Sequence, residues 1–362
     1  MPAYKDKNGK WLIQFNYKDW RGNMKYTTKR GFATKREALA YEAEFKLQTA
    51  GSMDMNMNEF YEIYKEEHYP RIRESTAEQK DYVFKDKILP YFGEKKVRDI
   101  SAKDIVHWQN ELLKFRDEKT GDHYSKSYLK TIHNQLSAIL NYACRYYDLK
   151  NNPAKTAGNI GNEQDIEMDF WTLSEYKRFS YVMMDKPEYY YAFETLYWAG
   201  LREGEMLALT KKDIDLSEKT INVNKTFQKI HGVYKVGPPK TRKGKRIVKI
   251  PDNLSEELKE YMEMLFDLKD SDRIFRMTKH GLYRAIEVGS KKAGVKKIRV
   301  HDLRHSHVSL LIDLGYSPVA IAERVGHESI YITYKYAHMF PEVQNNLTGK
   351  LNKLMEDEKD EQ

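Results

Sequence analysis

Apolar and polar residues alternate from Trp11 to Lys18, with Trp11, Ile13, Phe15 and Tyr17 on one side and Leu12, Gln14, Asn16 and Lys18 on the other. A period of two marks a half-buried strand. Asn8-Gly9 supplies a tight-turn signal before it, and Arg21-Gly22-Asn23 offers a second turn before a further strand region from Lys25 to Phe32. Thr34 and Glu37 then stand at the spacing of a capping box, which predicts a helix running to about Leu47. Residues 1–52 are therefore expected to fold as a small β-sheet closed by one helix.

After a short polar break the period changes. From Met57 to about Leu149 the chain reads as helical. Ser101 and Asp104 can open one helix, whose apolar positions include Ile105, Trp108 and Leu112. Leu129, Ile132, Leu136, Ile139, Leu140 and Ala143 follow the three-and-four spacing of a buried helix face. Asn151-Asn152-Pro153 stops this run, and the polar, glycine-containing stretch after it predicts an interdomain linker over 153–170. A further domain is expected over 171–346. It opens on a capping box at Thr172 and Glu175, continues helical past Tyr197, shows strand signals from Thr220 to Pro251 and returns to helices from Leu254 onward. An acidic tail over 347–362 closes the chain. The expected fold class is α+β and multidomain: a sheet-plus-helix module, an all-helical domain over 57–152, and a mixed, mainly helical domain with a small antiparallel sheet.

Composition bears on partners more than on fold. A formal net charge of +8 favours a polyanionic partner. Within the helical run Lys80, Lys85, Lys87, Lys95, Lys96 and Arg98 form a basic cluster, whose default reading is a solvated face. Cys144 is the only cysteine, so no intrachain disulfide forms and a reducing compartment is expected. No run approaches the roughly 18 apolar residues of a membrane span, and the N-terminus lacks the apolar core of a signal peptide. The expectation is a soluble intracellular protein with no membrane partner.

The chemistry concentrates between His301 and His338. His301 and Arg304 form H-x-x-R, Gly326-His327 follows, and Tyr336 comes nine residues after His327. A guanidinium fork for phosphate oxygens, two imidazoles and a phenol suit phosphoryl transfer without a metal. His301, His305 and His307 raise the question of a metal, since His at i and i+4 can share an ion. No H-E-x-x-H accompanies them, and Arg304 would sit in the same space, so no metal or other cofactor is expected. His305 and His307 are expected in the core. Tyr331 and Tyr334 are rivals to Tyr336, but Tyr334 is turned roughly 200° from it on a helix.

This array resembles the C-terminal signature of the tyrosine recombinase (phage integrase) family, H-x-x-R, then G-H, then a nucleophilic Tyr. Two upstream segments extend the likeness. Gly200-Leu201-Arg202-Glu203-Gly204-Glu205 resembles the first arginine motif, G-x-R-x-x-E, in which Glu205 would hold Arg202. Pro239-Lys240-Thr241-Arg242-Lys243 resembles the β-hairpin lysine motif, with Lys240 in the tip region and Lys243 and Lys245 as nearby rivals. The four segments occur in the family's order across about residues 57–340.

The resemblance implies a site-specific integrase that cuts and rejoins DNA through a 3′-phosphotyrosyl link. Tyr336 would attack, His301 accept its proton, Lys240 protonate the leaving oxygen, and Arg202, Arg304 and His327 stabilise the phosphate. It implies that 1–52 binds arm-type DNA sites and 57–152 binds core DNA, with Lys18, Lys80, Lys85, Lys95, Lys96, Arg242 and Lys243 among the contacts. It also implies a homotetramer on duplex DNA, with a tail at 347–362 that either docks on a neighbouring protomer or packs on its own domain. An excisionase and a host DNA-bending protein would assist, in the cytoplasm of a bacterial cell at its nucleoid. A chromosome-dimer-resolving recombinase and a non-cleaving DNA-binding relative are the alternatives. The N-terminal sheet favours an integrase over the first, and the complete catalytic set argues against the second.

Overall fold

The computed structural model describes residues 3–18, 24–49, 54–161, 168–334 and 336, and the chain divides into two compact units, residues 1–165 and 166–362. In the first unit β1 (Tyr4–Lys5), β2 (Trp11–Lys18) and β3 (Met24–Phe32) form an antiparallel sheet in that order, followed by α1 (Lys35–Thr49). Ile13 and Phe15 are buried with Ala38 of α1, and Trp11, Tyr17, Phe32, Tyr41 and Phe45 pack around them. On the other face Leu12, Gln14 and Asn16 pair with Arg30, Thr28 and Tyr26. Cross-strand partners share a face, so this side is mixed and polar. The turn expected at 21–23 and the Lys18 side chain lie outside the described residues.

The rest of the first unit is helical: α2 (Met57–His68), α3 (Glu74–Val83), α4 (Leu89–Phe92), α5 (Ala102–Lys114), α6 (Lys126–Tyr146) and α7 (Pro153–Ala157). A capping box opens α5, where Ser101 accepts from the Asp104 amide and Asp104 accepts from the Ser101 amide. The six-residue apolar stripe of α6 is buried against Phe60, Phe84, Phe92 and Trp108. One expectation needs correcting. Residues 153–161 are not linker: Asn152 caps α7, Ala154 is buried, and Ile160 packs on the helical core. A Cβ on Gly161 would lie 2.1 Å from the Lys126 carbonyl oxygen, so the chain here runs tight against the start of α6. Asn152 makes this possible, because its amide also donates to Ser137 and Asn141 of α6.

The second unit opens with α8 (Leu173–Met183), α9 (Pro187–Ala199) and α10 (Glu203–Met206). Five strands follow: β4 (Ile214–Asp215), β5 (Thr220–Val223), β6 (Thr226–Ile230), β7 (Val233–Gly237) and β8 (Arg246–Lys249). The helices α11 (Asp252–Met264), α12 (Lys279–Ala293), α13 (Asp302–Asp313), α14 (Pro318–Val325) and α15 (Ile330–Tyr334) complete it. Its core joins Phe179, Phe193, Leu196, Leu258, Phe275 and Leu303, while Val308, Ile312, Ile321, Val325 and Tyr336 form a separate small cluster. The strands form two sheets, β4-β5-β8 and β6-β7. Lys240 is therefore not at a hairpin tip. The hairpin joins β6 to β7 through His231-Gly232, and Lys240 lies on the connection that crosses from β7 to β8 of the other sheet. The tail at 347–362, with its apolar Leu347, Leu351 and Leu354, lies outside the described residues.

Candidate active site

Helix α9 ends at Gly200, whose φ of +63° stops the helix in the left-handed region. Two residues later Arg202 caps α10, and Glu205 turns back onto it. Arg202 donates from Nη1 to Glu205 Oε1 at 2.7 Å and from its amide to Oε2 at 3.0 Å. A second arginine, Arg246 at the start of β8, donates from Nη2 to the same Oε2 at 3.0 Å. Burial alone would raise the Glu205 pKa, but the Arg246 and Arg202 charges hold it below its usual value. Glu205 thus stays ionised and fixes both guanidiniums.

A third arginine comes from α13. Arg304 is buried, donates from Nη1 to the Gly200 carbonyl at 2.8 Å and reaches the Val325 carbonyl with Nη2. Arg202 Nη2 meets the neighbouring Gly326 carbonyl at 3.2 Å. The two arginine motifs, about a hundred residues apart in sequence, therefore converge on the end of α14. Burial and the Arg202 charge lower the Arg304 pKa. Three guanidiniums around one carboxylate leave an excess of positive charge, and Arg202 has the open face, at 33% side-chain exposure against 7% for Arg246.

Gly326 makes the convergence possible. Its φ is +69°, and an added Cβ would stand 2.6 Å from the Lys243 carbonyl oxygen. Gly326→Ala should therefore destabilise the chain by about 1–3 kcal/mol through left-handed strain and the clash. A melting curve should show a drop of several degrees, and an unchanged Tm would mean that the connection before β8 does not press on this turn.

Next in sequence, His327 is buried and shares a hydrogen bond between Nδ1 and Thr333 Oγ1 at 2.9 Å. Burial, then Arg304 and Arg202, lower its pKa to about 3, so the ring is neutral near pH 7. His301, at the start of α13, keeps an exposed edge. Packing around the rest of its ring and the Arg304 charge hold its pKa below the usual value. Tyr336 is 1% exposed, and its hydroxyl is hydrogen-bonded to Nδ1 of His305. Burial raises the phenol pKa, while Arg304 pulls it down. Tyr331 is 78% exposed, which sets it apart from Tyr336, and the Tyr334 side chain lies outside the described residues.

Arg202, Glu205, Arg304, His327 and Tyr336 are thus drawn together by contact or by mutual charge. The Lys240 side chain is not drawn in. It is exposed, although its connection is anchored where Lys243 meets Gly326. Arg242 and Lys243 are exposed on the same connection. In the helical domain Lys85, Lys95 and Lys96 pair with Asp81, Asp104 and Asp54 at 2.7, 2.6 and 2.6 Å. Lys80 is half-buried and donates to Gln135 at 2.6 Å.

Sequence reasoning missed two site residues. Arg246 closes the basic run after Pro239, and nothing local marks it as the second partner of Glu205. His305 was expected in the core with His307. His307 is indeed buried under Gly200, accepting from Arg324 Nε at 3.0 Å. His305 instead faces Tyr336, and its i+4 relation to His301 was the available signal. Among the described residues no group of three or more His, Cys, Asp or Glu side chains could hold a metal ion, and no helix is long and apolar enough to cross a membrane.

Comparison with known proteins gives a consistent picture along the chain. Residues 172–342 match the phage integrase family, 56–113 the N-terminal SAM-like domain of phage integrases, and 2–49 an arm DNA-binding domain. The ICEBs1 integrase of Bacillus subtilis is 29% identical over 376 aligned positions, spanning 98% of this chain and 100% of that protein. The integrase of Staphylococcus phage L54a is 26% identical, spanning 64% of this chain and 76% of its own. Among solved structures, the Tn1549 transposon integrase in complex with a circular intermediate DNA aligns with a TM-score of 0.65 at 20% identity, covering 78% of this chain and 94% of that one. A lambda integrase tetramer bound to a Holliday junction aligns at 0.57 and 18% identity, covering 91% of this chain and 96% of that one. At these identities the structural likeness speaks for the fold.

Proposed function

The chain belongs to the phage integrase family of tyrosine recombinases, and from that premise we propose that it integrates and excises a mobile element by cutting and rejoining DNA at specific sites. The observation that carries the reading is the excess of guanidinium charge from Arg202, Arg304 and Arg246 around one carboxylate, beside the hydroxyl of Tyr336. Such a charge distribution suits an anion, and a phenol beside it suits attack on one.

A scissile phosphate would sit on the open side of Arg202. Tyr336 Oη attacks phosphorus, the P–O5′ bond breaks, and a 3′-phosphotyrosyl link keeps the energy of the broken diester. Lys240 protonates the departing 5′ oxygen, once its connection closes on the DNA. Arg202 and Arg304 spread the charge on the non-bridging oxygens, the part a metal plays in metal-dependent phosphoryl transfer. His327 contributes although neutral. With the Thr333 hydroxyl donating to Nδ1, the ring proton sits on Nε2 and can donate a hydrogen bond to the phosphate. His301, with its exposed edge, is the base that the family resemblance offers for the Tyr336 proton. A 5′-hydroxyl from a partner duplex reverses the step, so neither ATP nor a cofactor is consumed.

We also assign residues 57–152 to core DNA, with Lys80, Lys85, Lys95 and Lys96 among its contacts, and Arg242 and Lys243 to the DNA near the cut. On DNA the protein acts as a homotetramer, with an excisionase and a host DNA-bending protein as accessory partners, at the nucleoid of a bacterial cytoplasm. For the tetramer on DNA, what supports the reading is the fold shared with a lambda integrase that forms a tetramer on a Holliday junction. A duplex nicked near the cleavage site of the element's attachment core, found from the junction with flanking DNA, tests the reading. Denaturing gels should show a slow-migrating covalent band that chelators do not diminish.

Residues 1–52 would bind arm sites through the open face of the sheet, where Gln14, Asn16, Thr28 and Arg30 supply donors and acceptors. Linking two DNA contacts in one chain raises the effective concentration of the enzyme at the core. Deleting 1–52 should spare cleavage of an isolated core half-site and abolish integration that depends on arm sequences. Normal integration by the truncated enzyme would return the chromosome-dimer-resolving reading to the front.

A further inference from the structure

His305 is the imidazole that meets the nucleophile. Its Nδ1 is hydrogen-bonded to the Tyr336 hydroxyl, with the two ring centroids 5.6 Å apart. On the other side of the ring, Nε2 lies 3.7 Å from Oδ1 of Asp302. Asp302 is itself buried and fixed, accepting from the Arg299 amide at 2.7 Å and from Arg299 Nη2 at 2.8 Å. His301 stands edge-on to His305, with centroids 5.1 Å apart at 89°, and makes no hydrogen bond to Tyr336 among the described residues. A carboxylate beside Nε2 favours the tautomer protonated there, which leaves the Nδ1 lone pair for the phenol proton.

We propose that His305, oriented by Asp302, is the base that takes the Tyr336 proton, and that His301 serves the phosphate instead. The proposal rests on the recombinase reading above. The Tyr336 O–H bond breaks toward His305 Nδ1 as the Tyr336 O–P bond forms. The P–O5′ bond breaks, and the 5′ oxygen takes its proton from Lys240. The imidazolium formed at His305 is then stabilised by Asp302, the arrangement of a nucleophile, a base and an orienting acid. In rejoining, His305 returns the proton to the phenolate that leaves.

The charged groups facing His305 make this base conditional on DNA. Burial, with His301, Arg299 and Arg304 behind it, lowers its pKa to about 4 against the opposing pull of Asp302, and His327 lies within its field. The free enzyme therefore holds a neutral, weakly basic ring. A phosphodiester docked on Arg202 and Arg304 cancels part of that positive field and raises the basicity of His305 when the substrate is in place.

The test uses the full chain, a nicked core-site duplex, and the same duplex with sulfur replacing the bridging 5′ oxygen, a leaving group that needs no acid. His305→Asn keeps a polar group near Nδ1 and loses the base. Adduct formation should fall about 10²–10⁴-fold on both substrates. The residual rate should rise about tenfold per pH unit through the alkaline range, and DNA affinity should stay within about twofold, as expected when hydroxide replaces a lost base. Lys240→Ala should fail on oxygen and recover on sulfur. Fluorination of the Tyr336 ring, which acidifies the phenol, should restore part of the His305→Asn rate. Cleavage by His305→Asn within about threefold of the unmodified enzyme, or its rescue by the sulfur leaving group, overturns the proposal and returns the base to His301. Absence of any adduct from the unmodified enzyme on either duplex would instead reject the recombinase reading.

Discussion

Tyr336→Phe should abolish the covalent protein–DNA band on a nicked core site while leaving DNA affinity within a few-fold of the unmodified protein. The substitution removes one oxygen from a ring that is 1% exposed among Val308, Ile312, Ile321 and Val325. Phenylalanine fits that space, so the cluster should stay packed. What is lost is the oxygen proposed to form the phosphotyrosyl bond. His305 also loses its partner at Nδ1, and because that ring is only partly buried the loss costs less than the roughly 1–3 kcal/mol of a fully buried unpaired group. Loss of the band with a shift of a few degrees in Tm is the expected pair of results. A persistent band would transfer the nucleophile to Tyr331 or Tyr334, and peptide mapping of the adduct would show which.

Arg304→Lys should lower the cleavage rate by about 10²–10³ and leave DNA binding nearly intact. Arg304 fixes its fork by donating to the Gly200 and Val325 carbonyls from two different nitrogens. A lysine ammonium keeps the charge but cannot span both carbonyls and still face a phosphate. Arg202→Lys should show a similar loss, because its fork divides between Glu205 and Gly326. Single-turnover cleavage rates, with affinity measured by gel shift, separate this from general weakening. Near-normal cleavage by either variant in the presence of a chelator would reject a guanidinium clamp acting without metal.

Features set by neighbours in sequence were legible before the structure. The capping pairs Ser101–Asp104 and Thr172–Glu175 form as their spacing predicts, and the apolar stripe of α6 is buried. Alternation put Ile13 and Phe15 inside the first sheet. Features set by distant pairing were not. Whether β8 joins β7 or β5 depends on strand partners, and local periodicity carries no such information, so Lys240 was placed at a hairpin tip. His301 and His305 share one helical turn, and only the position of a tyrosine 31 residues after His305 decides which ring it meets. Residues 153–161 are polar and contain glycine, as a linker would. Asn152 nevertheless ties them down by side-chain bonds to α6 that composition cannot reveal.

The paired lysines of the helical domain make its proposed grip on DNA an exchange reaction. Lys85, Lys95 and Lys96 must each let go of an aspartate before meeting a phosphate. Cations displaced from the duplex are then partly recaptured by the freed carboxylates. Affinity should therefore fall less steeply with added salt than a count of lysines implies. The exchange also discriminates. A duplex whose shape brings few of its phosphates onto these lysines gains little from breaking a single pair. A core site whose shape engages several lysines together gains on all of them at once. The protein would move loosely over a chromosome and settle only where the exchanges occur in concert.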